Sequence, residues 1–356
     1  MKLGYSIVKL WLRTGLFFYY TKIKVFGKEN IPKGKPLMVL ANHQNALMDP
    51  LMIAMNCGVK PFFLARSDLF KNPLVSKFLH YLQMIPIYRF RDGRDTLKNN
   101  PAIFKKCGDL LIKGETIMLF PEGNHGIRRR VRWPMRYGFV RMLFSALEKE
   151  PDLDIRILPI GLNYLNAEGF PDSVSMYIGK DFSVQDYYDP NDLPATESKL
   201  KDEIYKRLKE LTTHIPDEET YDRVIAHLDN KKVDYLKPES VNKIIQDIDP
   251  TVIATPVSSS GSSISGLLNI LFNLINFPIV LLWNKRIKTI GLDIEFRTTL
   301  RFAMGLILFP IYYLLLYLVF GYMLGQDIAL TIFLAHIFFN FLYVKLGRFT
   351  SSYQKI

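Results

Sequence analysis

Cysteine is nearly absent from this chain of 356 residues, in which Cys57 and Cys107 are the only two. Two thiols are too few for a disulfide framework or a metal site, so we expect neither, and a reducing, cytosolic setting fits this composition. The N-terminus lacks a small-residue cleavage site after a short apolar core, so we expect no cleaved signal peptide. The chain also lacks the Gly-x-Ser-x-Gly turn that carries a serine nucleophile, which argues against a lipase.

Acidic residues are outnumbered, because 46 lysines and arginines face 34 aspartates and glutamates and give a net charge of +12. Such a charge favours anionic partners, either phospholipid headgroups or nucleic acid. No nucleic-acid-binding motif is present, and the cations recur beside aromatic and aliphatic runs. Apolar residues make up 49% of the chain, which is high for a purely soluble protein. We therefore expect membrane lipids as partners and no nucleic acid.

Long apolar runs without a charge are confined to the C-terminal region, at 264–283, 302–325 and 328–344. These lengths are those of membrane helices. The stretch 284–301 is rich in cations, and the positive-inside rule places it in the cytosol. We therefore predict that 302–325 and 328–344 form a spanning hairpin. The segment 264–283 would then re-enter or lie in the interface, broken near Asn276 and Pro278.

The alternative for the C-terminal region is three spans, which leave either the N-terminal part of the chain or the basic stretch outside. His336 falls within the last apolar run. We expect this histidine to be a buried hydrogen-bonding group.

Residues 5–26 are aromatic and aliphatic but are interrupted by four cations, Lys9, Arg13, Lys22 and Lys24. Each cation is unfavourable at the centre of a bilayer, whereas a helix in the interface keeps its cations in water. We predict an interfacial amphipathic helix within residues 1–30. An ordinary helix packed on the following domain is the alternative.

Between residues 31 and 215, short apolar strand patterns alternate with helical patterns, which predicts an α/β domain with a mixed sheet flanked by helices. The predicted strands are 36–41, 60–65, 84–89, 115–120, 154–162 and 173–182. Residues 216–263 are predicted to form a helical extension ending in a Ser/Gly linker. Residues 264–356 form the predicted C-terminal membrane region.

A candidate for acid–base chemistry lies at the end of the first predicted strand of this domain, where Asn42-His43 is followed by five residues and then Asp49. We predict that Asp49 caps the next helix, with Pro50 at its first position. Such a carboxylate can hold one imidazole nitrogen while the other takes a proton from a substrate hydroxyl. A purely structural His–Asp pair is the alternative.

A second motif, Phe120-Pro121-Glu122-Gly123, follows a predicted buried strand further along the chain. Together the two motifs resemble the glycerolipid acyltransferase superfamily, whose patterns are Asn-His, four residues and Asp, and Phe-Pro-Glu-Gly followed by Thr or Ser and Arg. The resemblance covers residues 25–185. Five residues separate His43 from Asp49, as in a subgroup related to fungal glycerol-phosphate and dihydroxyacetone-phosphate acyltransferases. Asn124-His125 stands where the family has Thr-Arg.

The resemblance implies O-acyl transfer from acyl-CoA or acyl-carrier protein, as co-substrate and without a cofactor or metal, on the cytosolic membrane face. His43 would be the general base and Asp49 its partner. By the same resemblance Arg89 would grip the acceptor's phosphate, Glu122 would bond glycerol hydroxyls or orient a cation, and Pro159 would lie along the acyl-donor site.

The family pattern also places Asn124 in the substrate-binding turn after Gly123, and glycine at that position lets backbone amides approach an anionic ligand. The run from Arg128 to Arg136 suits phosphates of a donor or lipid, with a solvated charge run as the alternative. Arg91 and Arg94 belong to a charged loop after Arg89. Four acyl acceptors are compatible with the sequence: lysophosphatidate, glycerol 3-phosphate, a non-phosphorylated lipid alcohol or a lysophospholipid being remodelled. A non-catalytic lipid-binding protein is the rival class.

Overall fold

The computed structural model describes residues 2–248, 263–290 and 294–347. Within these residues eight strands form one sheet: β1 (Tyr20–Phe26), β2 (Leu37–Ala41), β3 (Phe62–Arg66), β4 (Met84–Ile87), β5 (Thr116–Leu119), β6 (Arg156–Tyr164), β7 (Asp172–Ile178) and β8 (Phe182–Ser183). The helices are α1 (Lys2–Tyr19), α2 (Met48–Asn56), α3 (Pro73–Tyr81), α4 (Asn100–Ile112), α5 (Gly138–Leu147), α6 (Leu193–Leu211), α7 (Tyr221–Asn230), α8 (Pro238–Gln246), α9 (Ser263–Ile275), α10 (Phe277–Ile290), α11 (Ile294–Leu324) and α12 (Gln326–Lys345).

The strand order is β1-β7-β6-β2-β5-β3-β4, with β8 beside β6. Strands β6, β2, β5, β3 and β4 run parallel, while β7 is antiparallel to β6, so the predicted mixed α/β sheet is confirmed. Every residue of β2 is buried and apolar, as expected for a parallel strand covered on both faces. The five parallel strands end at one edge of the sheet, which we call the carboxyl edge.

Helices cover both faces of the sheet because alternate residues of β2 point into two different cores. Met38 and Leu40 pack with residues of α4, α5 and α6 on one face. Leu37 and Val39 pack with residues of α1 and α2 on the other. The loop that follows β2 is therefore held between two packed layers.

The N-terminal segment departs from the prediction of one helix over residues 5–26. Helix α1 ends at Tyr19, and the chain enters β1 at once, pairing in parallel with β7 at the sheet's outer edge. The reason is a change of period, because exposed Lys22 and Lys24 alternate with half-buried Ile23 and Val25. Alternation with period two is the pattern of a strand with one covered face.

Two further strand predictions need correction. The range 173–182 is two strands, β7 and β8, rather than one. Proline within a strand is expected at an edge or a bulge, but Pro159 lies inside β6, opposite Leu40 of β2. On its other side the partner of β6 changes from β8, which pairs with Ile157, to β7, which pairs from Ile160 onward. The missing N–H of proline therefore interrupts no ladder there.

Helices α7 and α8 form a small satellite core that packs against the sheet domain through polar contacts. Ser175 Oγ and Tyr177 Oη of β7 both donate to the carbonyl of Leu236, at 2.7 and 3.0 Å. Asn242 Nδ2 donates to the carbonyls of Lys209 and Thr212 at the end of α6. The predicted Ser/Gly linker falls mainly in 249–262, outside the described residues.

In the C-terminal region, α11 and α12 are each long and apolar enough to cross a membrane. Helices α9 and α10 meet at a 94° bend and form either a broken span or a re-entrant loop, so the predicted interruption at Asn276 is confirmed. Helices α10 and α11 extend into the cation-rich stretch 284–301 from both sides.

The bend is joined to α12 by a cluster of buried polar groups. His336 Nε2 lies 2.9 Å from Asn276 Oδ1, as expected for a buried hydrogen-bonding histidine. Asn340 exchanges hydrogen bonds with the same asparagine and donates to Tyr313 Oη at 2.8 Å. Because these groups satisfy one another, they fix α9–α12 as a unit.

The end of α12 contacts the junction of α1 and β1. Lys345 Nζ donates to the carbonyls of Phe17 and Tyr20 at 2.7 and 3.0 Å. Thr21 Oγ1 donates to the carbonyl of Val344 at 2.8 Å. The C-terminal helices are thereby joined to the first strand of the sheet, a contact we call the end-to-end clasp.

Candidate active site

The loop after β2 carries His43 to the carboxyl edge, where His43 Nδ1 lies 2.8 Å from Asp49 Oδ2. Helix α2 begins at Met48, so Asp49 lies in its first turn. The prediction that Asp49 is the N-cap was therefore wrong. The carboxylate instead turns back and accepts the backbone N–H of Asn45 at 2.7 Å. Its side chain is wholly buried, whereas that of His43 is 15% exposed.

A third donor reaches Asp49 from β6, since Tyr164 Oη donates to Asp49 Oδ1 at 2.7 Å. Burial, and then the nearby Asp49 carboxylate, raise the pKa of Tyr164 well above its usual range, so the phenol remains a donor. Sequence reasoning missed this residue because the predicted strand ended at Leu162. A tyrosine at the carboxyl end of a strand beside β2 was the available signal.

The His43 loop is anchored to its neighbours by amide side chains. Asn42 Nδ2 donates to the carbonyl of Leu162 and Asn42 Oδ1 accepts the N–H of the same residue, at 3.0 and 2.7 Å. Asn45 Nδ2 donates to the carbonyl of Ala167 at 2.9 Å. These bonds fix the backbone on both sides of His43, so little reorganisation is needed to use it.

Aromatic rings set the orientation of the His43 imidazole. The ring stacks on Phe120, with centroids 3.8 Å apart and planes 7° from parallel. His125 approaches it edge-on at 5.3 Å. Because Nδ1 faces Asp49, Nε2 is the nitrogen left to meet a substrate hydroxyl, which is the geometry of a general base.

Glu122 links the two motifs through the backbone. One carboxylate oxygen accepts the N–H of His43 at 2.9 Å and the other accepts that of Arg132 at 3.0 Å. Burial raises the pKa of Glu122 to about 7, although these hydrogen bonds oppose the shift. With both oxygens engaged, this carboxylate positions the loop, and the guanidinium of Arg132 is the cation beside it.

The turn after Glu122 needs the glycine that the sequence supplies. Gly123 has φ +69°, and a Cβ there would approach Arg136 Cγ to 2.4 Å. Asn124 follows in the same turn and is half-buried. Within the described residues, no group of three or more His, Cys, Asp or Glu side chains is placed to hold a metal ion.

The segment that contains this geometry matches a known family. Residues 22–163 match the model of the Acyltransferase family. Over 123 residues the chain is 28% identical to the chloroplastic 1-acyl-sn-glycerol-3-phosphate acyltransferase of Arabidopsis thaliana, covering 34% of this chain and 32% of that protein. This segment belongs to the glycerolipid acyltransferase superfamily.

Two other proteins are similar to parts of this chain. Glycerol-3-phosphate O-acyltransferase 1 of Saccharomyces cerevisiae is 26% identical over 124 residues, which is 33% of this chain and 16% of that protein. The crystal structure of the 1-acyl-sn-glycerophosphate acyltransferase PlsC from Thermotoga maritima aligns with a TM-score of 0.39 and 20% identity, covering 57% of this chain and 79% of that one. The chain thus spans a third or less of both curated relatives.

In the acyltransferase segment, Arg89 follows β4, three strands away from β2 along the carboxyl edge. Its Nη2 donates to Asp92 Oδ1 at 3.1 Å and lies 4.0 Å from Asp68 Oδ1. A phosphate at Arg89 would have to compete with these carboxylates. Arg66, at the end of the nearer strand β3, was not singled out from the sequence and is held by Asp68 through two hydrogen bonds.

The basic run of the acyltransferase segment divides into two groups. Arg128 pairs with Glu218 and stacks over Tyr221, with its guanidinium 4.8 Å from the ring centroid, while Arg130 also pairs with Glu218. Arg129 is a structural residue, because it donates to two backbone carbonyls at the end of β6. Arg132 and Arg136 stay exposed beside the turn of Glu122. Pro159 is buried in the sheet beside Leu40 and Gly179, and its expected place along the donor site stays a prediction.

Helix α11 covers the candidate site, which the sequence did not indicate. Phe296 packs edge-on against His125 at 4.8 Å, and Thr299 Oγ1 accepts the N–H of Leu47 in the His43 loop at 3.3 Å. Burial, followed by the nearby His43, lowers the pKa of His125 to about 4. A neutral imidazole therefore stands where the family has a cationic arginine.

Proposed function

We propose that this protein transfers a fatty acyl group from acyl-CoA or acyl-carrier protein to a hydroxyl of a glycerol-phosphate acceptor, either lysophosphatidate or glycerol 3-phosphate. The observation that carries the proposal is the His43–Asp49 pair, buried on one side and open on the other, within a segment of this superfamily. The relatives are named for both acceptors.

In the proposed reaction His43 Nε2 takes the proton of the acceptor hydroxyl as its oxygen attacks the thioester carbonyl. The tetrahedral intermediate collapses with loss of the thiolate, which receives the proton from His43. Asp49 holds the imidazole in the required tautomer and stabilises its protonated form. Tyr164 and Asn45 hold Asp49 in turn.

Cations at the site favour anionic substrates on both sides of the His43–Asp49 pair. Arg132 and Arg136 flank the Glu122 turn and suit the phosphates of an acyl donor, since guanidinium groups bind phosphate oxygens in pairs. Arg89 was predicted to bind the acceptor phosphate, and to do so it would have to exchange Asp92 for the phosphate as its partner. Arg128 is held by Glu218 and would contribute at longer range.

The proposed setting is a membrane, with the acyltransferase site on its cytosolic face. Exposed apolar side chains on α1 and α3, among them Leu10, Trp11, Leu74 and Phe78, suit contact with lipid. The cations of 284–301 suit the cytosolic side. With α11 and α12 as a spanning hairpin, the bent pair α9–α10 would re-enter and return on that side.

The direct test uses the purified full-length protein with a radiolabelled acyl donor, offered as acyl-CoA and as acyl-carrier protein. The acceptor panel comprises lysophosphatidate, glycerol 3-phosphate, lysophosphatidylcholine and a long-chain alcohol. We expect transfer to a phosphate-bearing acceptor and its loss in His43→Ala. The matched control is His80→Ala, on the exposed face of α3. Turnover of His43→Ala within a few-fold of wild type would sink the general-base assignment.

A further inference from the structure

A large cavity lies where the C-terminal helices meet the acyltransferase segment. Its volume is about 2280 Å³, well above the roughly 300–1,000 Å³ of a typical small-molecule site. The walls come from α1, α7 and α9–α12 and from the loops after β2, β5 and β6. Gln44 and Ile127 form the wall nearest the site, and Gln44 directly follows His43.

Arg297 and Arg301 line the cavity beside the turn of α11 that packs on His125, and Glu168 and Asp229 are acidic residues in the same lining. Arg297 and Arg301 are four residues apart and share one face of α11. Arg301 Nη1 donates to the carbonyl of Glu168 at 2.9 Å, and its guanidinium stacks over Trp283. Arg297 differs, because its buried Nε has no hydrogen-bond partner among the described residues. An unpaired buried donor of a charged group is costly, and an anion in the cavity would relieve it.

Contacts connect this part of the cavity to the reacting histidine. The ring of His125 is 5.3 Å from that of His43, and Phe296 is 4.8 Å from His125. Arg297 is the next residue of α11. Arg297 therefore lies on the same turn of α11 that covers the rings of His125 and His43, and Gln44, which lines the cavity, is the residue after His43.

The far end of the cavity is mainly apolar, although Asn276, Asn340 and Tyr313 of the buried polar cluster also line it. Along α11 the lining continues from Arg297 to Tyr317, and at 1.5 Å per residue this stretch measures about 30 Å. One acyl chain occupies half of a bilayer core, roughly 15 Å. The lining there is mainly aromatic and aliphatic and includes Phe309, Leu314, Phe333 and Ile337. A charged end joined to a long apolar end is the shape of a lipid with one anionic headgroup.

We infer that this cavity binds the acceptor as an anionic lysophospholipid, with its phosphate at Arg297 and Arg301 in place of Arg89, and with its acyl chain between α9–α12. The inference rests on the proposed function and narrows it, because glycerol 3-phosphate has no chain to fill the apolar end. The acceptor enters sideways from the membrane, while the donor approaches from solvent along Arg132 and Arg136. The C-terminal helices then form part of the substrate site.

The test measures acceptor binding separately from turnover. The full-length His43→Ala protein is crosslinked with a photoactivatable 1-acyl-glycerol 3-phosphate over a concentration series. We expect Arg297→Gln to raise the half-maximal concentration about tenfold, the effect of losing one charged hydrogen bond. Arg286→Gln is the matched control, since Arg286 is exposed on α10 and lies outside the cavity lining. Equal labelling of these two variants would overturn the phosphate site.

A second pair of variants tests the apolar end. Gly305 lines the cavity, where a new Cβ would meet nothing closer than 3.8 Å, so Gly305→Phe should fill the space and reduce labelling by several-fold. Gly266→Phe, on an open face of α9, should leave it unchanged. Inorganic phosphate and glycerol 3-phosphate should not compete with the lipid. Effective competition by either, or full labelling of Gly305→Phe, would show a site for a free anion and overturn the inference.

Labelling and acyl transfer, measured on the same protein, distinguish a failure of this inference from a failure of the proposed function. Specific labelling that depends on Arg297, together with no acyl transfer by the protein with intact His43, would refute the acyltransferase proposal and the role as acceptor. Acyl transfer with labelling independent of Arg297 and Gly305 would refute the cavity alone.

Discussion

Replacing Tyr164 with phenylalanine tests whether catalysis depends on how Asp49 is held. The substitution removes only the hydroxyl that donates to Asp49 Oδ1 at 2.7 Å and keeps the fully buried ring. No cavity forms, and Asp49 is itself inaccessible to solvent, so water cannot replace the lost donor. Asp49 then keeps the bonds from His43 and Asn45, both at Oδ2, and is free to rotate about them.

The size of the effect follows from the charge on Asp49, which accepts the hydrogen bond from Tyr164. A hydrogen bond to a charged group contributes about 1.5–3 kcal/mol, and its buried partner is left unsatisfied. At about 2–4 °C per kcal/mol for a domain of this size, Tm should fall by about 3–12 °C. Tyr164 acts on the substrate only through Asp49 and His43, so kcat should fall about tenfold while the KM of both substrates stays unchanged.

The assay follows thiol release from the acyl donor over a range of both substrates, with Tm measured on the same preparation. Tyr20→Phe is the matched control, because Tyr20 is a neighbouring buried tyrosine whose hydroxyl has no hydrogen-bond partner among the described residues. Its removal should leave kcat unchanged and Tm equal or higher. Wild-type kcat and Tm in Tyr164→Phe would refute the positioning role.

Three further predictions concern other parts of the molecule. Arg89→Lys keeps the charge but loses the planar fork, so it distinguishes the two phosphate sites: with the phosphate at Arg297 and Arg301 the acceptor KM should stay unchanged and Arg89 serves only Asp92, whereas an acceptor KM raised more than that of the donor would place the phosphate at Arg89. The pKa of Glu122 is raised to about 7, so the folded state keeps a proton that the unfolded state loses above about pH 4.5. The free energy of unfolding should therefore fall as pH rises from about 4.5 to 7, and Tm measured over this range should fall less steeply in Glu122→Gln than in the wild type. Equal slopes in the two proteins would contradict the raised pKa of Glu122. A cysteine introduced at Lys288 should react with an impermeant reagent only after cells are opened, and one at Gln326 in intact cells; the reverse pattern would refute the proposed orientation.

Much of the sheet could be predicted from the sequence because its parallel strands are short, continuous apolar runs. β2 and β5 are buried on both faces and bounded by turn residues, so their ranges were found to within a residue or two. β1 was missed because its aromatic and aliphatic residues continue those of α1 without a break. Only the change from helical to alternating periodicity at Tyr20 marks the boundary.

The residues of the candidate site also fall into those predicted from the sequence and those that were missed. His43, Asp49 and Glu122 lie in short motifs, so local spacing was enough to propose them. Tyr164 and Phe296 reach the site only because of the strand order and the docking of α11, which no local pattern encodes. The pairing of Arg89 with Asp92 was equally invisible, because a sequence shows which cations are present but not which carboxylates hold them.

The end-to-end clasp has a consequence for how this protein can be handled. Lys345 and Thr21 bind α12 to the start of the sheet, so α9–α12 are part of the globular architecture and not a detachable anchor. A chain that ends within 249–262 would lack the C-terminal helices that contact the last turn of α1. The apolar faces around Tyr19 and Phe170 would then be exposed to water. Proteolysis or truncation aimed at a water-soluble enzyme should therefore give an aggregating product. Reconstitution of the intact chain in a bilayer is the practical route to its chemistry.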